Sequence, residues 1–170
     1  MPPATTAPAA SRPPVALVAG ALVVTCEWAG DRWRHRVAHR GRPVVESVEG
    51  PGPGGDPRWP ASPALQEVSS VEAAGRPALL AVGAAGRSHF SASVTPDPRL
   101  ADTVLVEVAC RIVEPAAWLG STYRGATGDA VRIEAVGHGA APATVRWSYR
   151  IGPAGVAATA GDEPLPSRTA

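Results

Sequence analysis

The stretch that decides the fold is RSHFSASVTPDPRLADTVLVEVACRI, residues 87–112. In each half, apolar residues alternate with polar ones, and this period of two is typical of β-strands with one buried face. The two halves are joined by a proline-containing turn at residues 96–100. The sequence therefore predicts two strands paired at the centre of a sheet. The residues assigned to the core are Phe90, Ala92, Val94, Val104, Val106, Val108, Cys110 and Ile112.

The same alternation recurs on both sides of this pair. Towards the amino terminus, the turn at Gly30 and Asp31 separates two alternating segments and predicts a hairpin. A third strand is expected at residues 42–49, where Glu46 can lie across from one of the arginines of the hairpin. The inward residues of the hairpin are Leu22, Val24, Cys26 and Trp28 on one strand, and Trp33, His35 and Val37 on the other.

Further strands are predicted at residues 65–73, 79–82, 130–136 and 144–151, and the first of these is polar enough for a sheet edge. Residues 113–128 are expected to be irregular. This gives eight or nine short strands and no amphipathic helix pattern. The predicted fold is therefore all-β, an antiparallel β-sandwich or flattened barrel with little or no helix.

The length of 170 residues suits one domain. Residues 15–152 are predicted to form that domain, which is large enough to bury a core without a metal or a disulfide. Residues 1–14 and 153–170 are rich in proline, alanine and other small residues, and we expect a disordered leader and a disordered tail.

The charge composition excludes a strongly basic surface. All 16 basic residues are arginine and the net charge is +1, so no global field favours nucleic acid or a membrane. We attribute the abundance of arginine, alanine, glycine and proline to a GC-rich coding sequence. No nucleic-acid partner is expected.

An apolar run at residues 15–24 raises the question of export. It is far too short to span a bilayer, and it lacks the basic flank and the cleavage site of a signal peptide. We predict a cytoplasmic protein, with export as the alternative.

The two cysteines, Cys26 and Cys110, both fall on strand faces assigned to the core. We expect two reduced thiols, although a disulfide between them stays open. Neither cysteine belongs to a CxxC pair, and His35 and His39 would lie about 13 Å apart on a strand, too far to share one ion. No metal site and no cofactor are predicted.

Three segments are candidates for binding. Arginines concentrate in residues 32–42 and suit a partner that carries carboxylate, phosphate or sulfate. The segment LGSTYR, residues 119–124, can offer backbone and side-chain donors to an anion, or can be a structural turn. The loop at residues 50–63 contains one large aromatic residue, either a buried anchor or an exposed stacking platform. The candidate residues are Arg32, Arg34, Arg36, Trp59, Gly120, Ser121, Tyr123 and Arg124.

A catalytic site is suggested by a cluster of serine, histidine and aspartate, but strand alternation separates its members. Ser88 and His89 point to opposite faces, and no GxSxG motif is present. No catalytic residue is therefore assigned. The cluster consists of Ser88, His89, Ser91, Ser93, Asp97 and Asp102.

Three phrases, WPASPALQE, GRSHFSASV and LGSTY, resemble an uncharacterised bacterial protein family over residues 57–124. The resemblance implies no activity that can be named.

The leading functional hypothesis is a non-enzymatic β-sandwich that acts as a binding or structural module, with a protein partner or as a homo-oligomer. One alternative is a small hydrolase whose Ser/His/Asp set is assembled by the fold. Another is an anion-binding module that uses residues 32–42.

Overall fold

The computed structural model describes residues 12–137 and 139–159. These residues form twelve strands, and among them no helix is long and apolar enough to cross a membrane. The strands are β1 (Val15–Ala19), β2 (Leu22–Trp28), β3 (Trp33–His39), β4 (Arg42–Ser47), β5 (Glu67–Ala73), β6 (Arg76–Ala85), β7 (Ser88–Pro96), β8 (Val104–Ile112), β9 (Gly120–Gly125), β10 (Ala130–Glu134), β11 (Ala143–Gly152) and β12 (Gly155–Ala158).

The strands build two antiparallel sheets of six strands each, which pack together as a sandwich. The first sheet has the order β1-β2-β3-β4-β9-β10, and the second has the order β12-β11-β8-β7-β6-β5. One continuous cluster of buried side chains from both sheets fills the space between them. The predicted all-β fold is confirmed, with twelve strands instead of eight or nine.

The strand pair of residues 87–112 lies at the centre of the second sheet, as predicted. β7 and β8 are its two middle strands, and Phe90 pairs with Cys110 while Val94 pairs with Val106. Each strand is covered on one face by the core and paired along both edges. This burial explains why its apolar alternation is the clearest in the sequence.

The hairpin of β2 and β3 also follows the prediction. Cys26 pairs with His35 across it, and Glu46 of β4 lies opposite Arg36 of β3. A shift in register between Val37 and Ala38 marks a bulge in the β3–β4 ladder. β5 forms an edge of the second sheet, as its polarity predicts.

The apolar run at residues 15–24 folds back on itself. Gly20, whose φ is +62°, allows the chain to turn between β1 and β2, and Leu17 pairs with Val24 across the turn. What resembles one long apolar segment is therefore two short strands. The cellular compartment stays a prediction.

The prediction that residues 113–128 are irregular is wrong for β9. The chain from Gly120 to Tyr123 is buried on both faces, because the core covers one face and the loop before β5 covers the other. Thr122 on the loop side donates a hydrogen bond to the carbonyl of Ala61 at 2.9 Å. A strand covered on both sides has no apolar-polar alternation, so its sequence lacks the usual signal.

The sheet also continues past the predicted domain boundary at residue 152. β12, which lies within the predicted tail, pairs with β11 through Val156 and Ile151, so Gly155–Ala158 belongs to the second sheet. At the other end, the guanidinium of Arg12 lies 4.0 Å from the ring centroid of Trp28. The rest of the predicted leader and tail, residues 1–11 and 160–170, lies outside the described residues.

The loop at residues 50–63 is held by its buried second half. Trp59 is 4% exposed, which agrees with an anchor and not with an exposed stacking platform. Every residue from 59 to 65 is buried, and the backbone N–H of Trp33 donates to the carbonyl of Leu65 at 2.7 Å. This segment fills the gap beside β3 where β4 no longer pairs with it.

Both cysteines are free and buried, Cys26 in the first sheet and Cys110 in the second. Burial raises the pKa of each thiol to about 12. The prediction of two reduced core thiols is confirmed.

Candidate functional site

The structure places three of the eight candidate residues at exposed positions, one at a partly buried position and four in the interior. Arg34, Arg36 and Arg124 are exposed on strands of the first sheet, and Arg32 lies in the turn before β3. The other four are buried. They are Trp59, Gly120, Ser121 and Tyr123.

The exposed residues are brought together by β4, which pairs with β3 on one side and β9 on the other. Glu46 lies opposite Arg36 in one ladder and opposite Arg124 in the next, so three charged side chains form a row across the sheet. They border a groove of about 490 Å³ on the outer face, which we call the first-sheet groove. Its apolar lining includes Ala38, Pro43, Val44 and Ala126.

The arginines of this face are paired with carboxylates, but unevenly. Arg34 and Arg36 both contact Glu27, with Arg34 Nη2 at 3.3 Å from Oε2, and these hydrogen bonds hold the pKa of Glu27 below its usual value. Arg124 Nη1 lies 3.8 Å from Glu46 Oε1. The groove is therefore lined by two arginines and two glutamates, and Arg34, which shares Glu27 with Arg36, adds one positive charge beside it.

Arg32 is separate from this row. Its guanidinium Nη2 lies 2.7 Å from Asp31 Oδ2 in the same turn. The structure therefore places two of the three predicted arginines of this segment on the groove-bearing face and leaves the third in a local pair.

The buried group includes two members of a hydrogen-bonded chain inside the sandwich. Tyr123 Oη lies 2.6 Å from His35 Nε2 and 2.7 Å from Tyr149 Oη. At the far end, Trp147 Nε1 donates to Ser121 Oγ at 3.0 Å, and the Ser121 hydroxyl lowers the pKa of the neighbouring Tyr149, against the effect of burial. We call these five residues the interior polar chain. It crosses from the first sheet to the second.

The interior polar chain is uncharged at neutral pH. Burial lowers the pKa of His35 to about 4 and raises that of Tyr149 to about 12. Burial, with Tyr149 next to it, also raises the pKa of Tyr123 well above its usual value. The hydroxyl groups of Ser121 and Tyr123 therefore contact other side chains inside the protein and do not reach solvent.

Gly120 is required for close packing. A Cβ at this position would lie 2.3 Å from the carbonyl oxygen of Ile133 and 2.7 Å from the ring of Trp118. Its absence of a side chain lets β9 and β10 approach each other beside the indole.

The Ser/His/Asp cluster is separated as strand alternation predicts. Ser88 is buried while His89 and Ser91 are exposed on the outer face of the second sheet. His39 Nε2 lies 3.0 Å from Asp102 Oδ2 at the end of the sandwich, where Asp102 also accepts the N–H of Ala21 at 2.8 Å. Within the described residues, no histidine side chain hydrogen-bonds a serine or threonine hydroxyl.

One unusual group was not identified from the sequence. Glu49 follows β4, and its Oε1 accepts a hydrogen bond from Ser47 Oγ at 2.7 Å. Its Oε2 is buried and has no partner among the described residues. Burial raises the pKa of Glu49 to about 7, opposed by the Ser47 hydrogen bond and by the charge of Arg32. A glutamate before a Gly/Pro-rich segment resembles an ordinary surface residue, so the sequence contains no signal for its burial.

The stability of Glu49→Gln relative to wild type should rise with pH. A carboxyl whose pKa is raised on folding binds its proton more tightly in the folded state. Its contribution to the free energy of unfolding therefore falls as the pH rises from about 4.5 to about 7. Relative to wild type, Glu49→Gln should gain about 2–3 kcal/mol in free energy of unfolding between pH 5 and pH 8. Urea denaturation at both pH values measures this change.

The comparison of variant with wild type cancels the titration of His35, which both proteins share. The control is Glu72→Gln, at an exposed residue of the edge strand β5, where the burial that surrounds Glu49 is absent, and we expect a difference that does not vary with pH. A Glu49→Gln difference that is equally constant from pH 5 to pH 8 would contradict the prediction.

These features define the class of protein as an antiparallel β-sandwich of two six-stranded sheets, with a charged groove on one outer face and a neutral polar chain inside. No family model, curated protein or solved structure matches the chain. The resemblance of the three phrases in residues 57–124 stays a prediction.

Proposed function

We propose that the protein is a non-enzymatic binding module whose ligand contacts the first-sheet groove. The observation that carries the proposal is the meeting of Arg36 and Arg124, from strands far apart in the sequence, above an apolar surface. Ligand sites commonly combine a mainly apolar surface with a few polar groups that orient the ligand.

The groove is built on paired strands. Arg36 and Arg124 stand on β3 and β9, with β4 between them, so the spacing of their backbones is fixed by two hydrogen-bonded ladders. About half of each arginine side chain is exposed, 51% for Arg36 and 56% for Arg124. Both guanidinium groups are therefore accessible while their attachment points are rigid, which favours a defined binding geometry.

A ligand with an anionic group is the specific form of this proposal that the exposed arginines favour. Arg34 and Arg36 share Glu27, and the contact of Arg124 with Glu46 is long at 3.8 Å. Exposed ion pairs of this kind contribute little to stability and exchange readily for a competing carboxylate. Arginine also forms two parallel hydrogen bonds with carboxylate or phosphate.

The hydrolase alternative has less support. His35 is half-buried and contacts the phenol of Tyr123, and His39 contacts Asp102, whereas a Ser/His/Asp set requires a serine hydroxyl beside the imidazole.

The test uses two probes of equal length and opposite charge, sodium hexanoate and hexylamine, titrated into the isotope-labelled protein. We expect hexanoate to shift the backbone amide NMR signals of Ala38 and Ala126. The double variant Arg36→Gln/Arg124→Gln should weaken this binding about tenfold, which corresponds to about 1.4 kcal/mol for two charge-assisted contacts.

The matched control is Arg76→Gln/Arg87→Gln, at two exposed positions of the second sheet and its β6–β7 turn, which should leave hexanoate binding unchanged. If hexylamine shifts the same amides as strongly, the preference for an anion is wrong, but the groove is still supported as the binding surface. If neither probe shifts them, the proposed binding surface is wrong.

A further inference from the structure

The outer face of the second sheet is unlike that of the first. Its centre consists of small residues, Ser91 and Ser93 on β7 and Ala109 on β8, and a shallow depression of about 570 Å³ lies over them. Two larger apolar side chains stand beside this centre on β6, where Leu80 is 46% exposed and Val82 is 52% exposed. We call this surface the second-sheet face.

Two opposite charges on the second-sheet face are not paired with each other. Ser148 of β11 is opposite Glu107, and Arg146 is opposite Ala109, so Glu107 and Arg146 are diagonal neighbours on adjacent strands. In the part of the chain that the structure describes, neither side chain forms an ion pair; Glu107 only accepts a long hydrogen bond from Ser93 at 3.5 Å. On the first sheet, by contrast, Arg34, Arg36 and Arg124 are each paired within the chain.

A surface with adjacent opposite charges is complementary to itself. In a dimer with two-fold symmetry, each contact occurs twice with the roles exchanged. Glu107 of one copy can therefore meet Arg146 of the second copy, while Arg146 of the first meets Glu107 of the second.

The geometry of a β-sheet is compatible with this contact. Neighbouring strands lie about 5 Å apart and alternate residues about 7 Å apart, so a two-fold axis that superposes Glu107 on Arg146 makes the strands of the two copies cross at about 70°. Crossing near a right angle is one of the two common ways in which sheets pack face to face.

The area of the whole face comes close to that of a dimer interface. Six strands about 5 Å apart, the longest of nine or ten residues, cover on the order of 700 Å². A stable interface buries about 800 Å² per partner. The exposed Leu80 and Val82 would supply apolar contact next to the charged pair.

We propose that the second-sheet face is the interface of a homodimer, with Glu107 of each copy paired to Arg146 of the other. This goes beyond the binding function proposed above, because it concerns the opposite sheet and its partner is a second copy of the chain.

Sedimentation equilibrium of the full chain tests the proposal. Wild type should be a dimer, and the single variants Glu107→Arg and Arg146→Glu should each dissociate at least about tenfold more easily, because each places like charges in contact. An equimolar mixture of the two variants should recover the wild-type affinity, since one copy then carries two arginines and the other two glutamates at the contact. The control variant is Arg132→Glu, on β10 of the first sheet, which should leave the dimer unchanged.

Thermal unfolding of each variant verifies that these exposed substitutions leave the fold intact. A wild-type protein that is monomeric at every concentration overturns the proposal. So does a dimer that the two single variants leave unchanged, or variants that are weakened and not rescued by mixing. Rescue on mixing requires contact between two copies and cannot arise from a pair within one chain.

Discussion

Replacement of Asp97 by alanine should lower the free energy of unfolding by about 3–5 kcal/mol, the range found when one partner of a buried charged pair is removed. Asp97 lies in the turn between the two central strands, and its side chain is 1% exposed. Urea denaturation with two-state analysis measures the effect.

The large effect follows from the number of groups that Asp97 satisfies. Its Oδ1 accepts the backbone N–H groups of Arg99 at 2.7 Å and Leu100 at 3.2 Å, and its Oδ2 accepts Arg150 Nε at 2.5 Å. Burial by itself would raise the pKa of Asp97, but these hydrogen bonds and the charge of Arg150 outweigh it and lower the pKa. The carboxylate therefore holds the turn closed and ties β7 to β11.

The pH dependence has a defined sign. A carboxyl whose pKa is lowered on folding stabilises the protein at neutral pH, and this stabilisation is lost as the pH falls below about 4 through the folded-state pKa. The difference between wild type and Asp97→Ala should therefore shrink in acid.

The control for Asp97 is Asp31→Ala, which removes an ion pair of 2.7 Å to Arg32, against 2.5 Å for Asp97 and Arg150. The side chain of Asp31 is 70% exposed. An exposed pair contributes less than about 1 kcal/mol. If the two variants lose similar amounts of stability, the burial of Asp97 is not the cause.

Several strands of the fold can be predicted from their local sequence. The strands β2, β3, β7 and β8 each have one face in the core and one in solvent, so their alternation predicts their existence and their pairing. The sequence also predicts Glu46 across from one of the hairpin arginines, and the structure shows that this arginine is Arg36. Short turns join each of these two pairs, and a short connection fixes which strands are neighbours.

β9 and the interior polar chain could not be predicted in this way. β9 is buried on both faces, so its sequence does not alternate. Its neighbour β4 precedes it by some 70 residues, so no short turn indicates that the two strands pair. The meeting of Arg36 with Arg124 depends on that same long-range pairing. The residue types of each segment identify it as a candidate. They do not show that the two segments line one groove.

Tyr123 is the residue at which this limit matters most. In the sequence it belongs to a candidate anion site with Ser121 and Arg124, and the structure turns the alternate residues of β9 to opposite sides. Tyr123 enters the core, while Arg124 remains on the surface beside Glu46.

Replacement of Tyr123 by phenylalanine should lower the free energy of unfolding by about 2–4 kcal/mol, since a buried polar group left without its partner costs about 1–3 kcal/mol. The change removes one oxygen atom and keeps the ring. It takes away the hydrogen-bond partner of His35 at 2.6 Å and one of the partners of Tyr149 at 2.7 Å. His35 Nε2 and Tyr149 Oη would then lie in the core with fewer hydrogen bonds than they require.

A double-mutant cycle with Tyr149→Phe separates this effect from a general loss of packing. Each single variant leaves the other hydroxyl with an unmet hydrogen bond, whereas the double variant removes both hydroxyls together, so its cost should be smaller than the sum by about 1 kcal/mol or more. Urea denaturation of the four proteins at pH 7 gives the coupling. Strictly additive losses would show that the two tyrosines do not act as one chain, and the ring packing alone would then account for their burial between the two sheets.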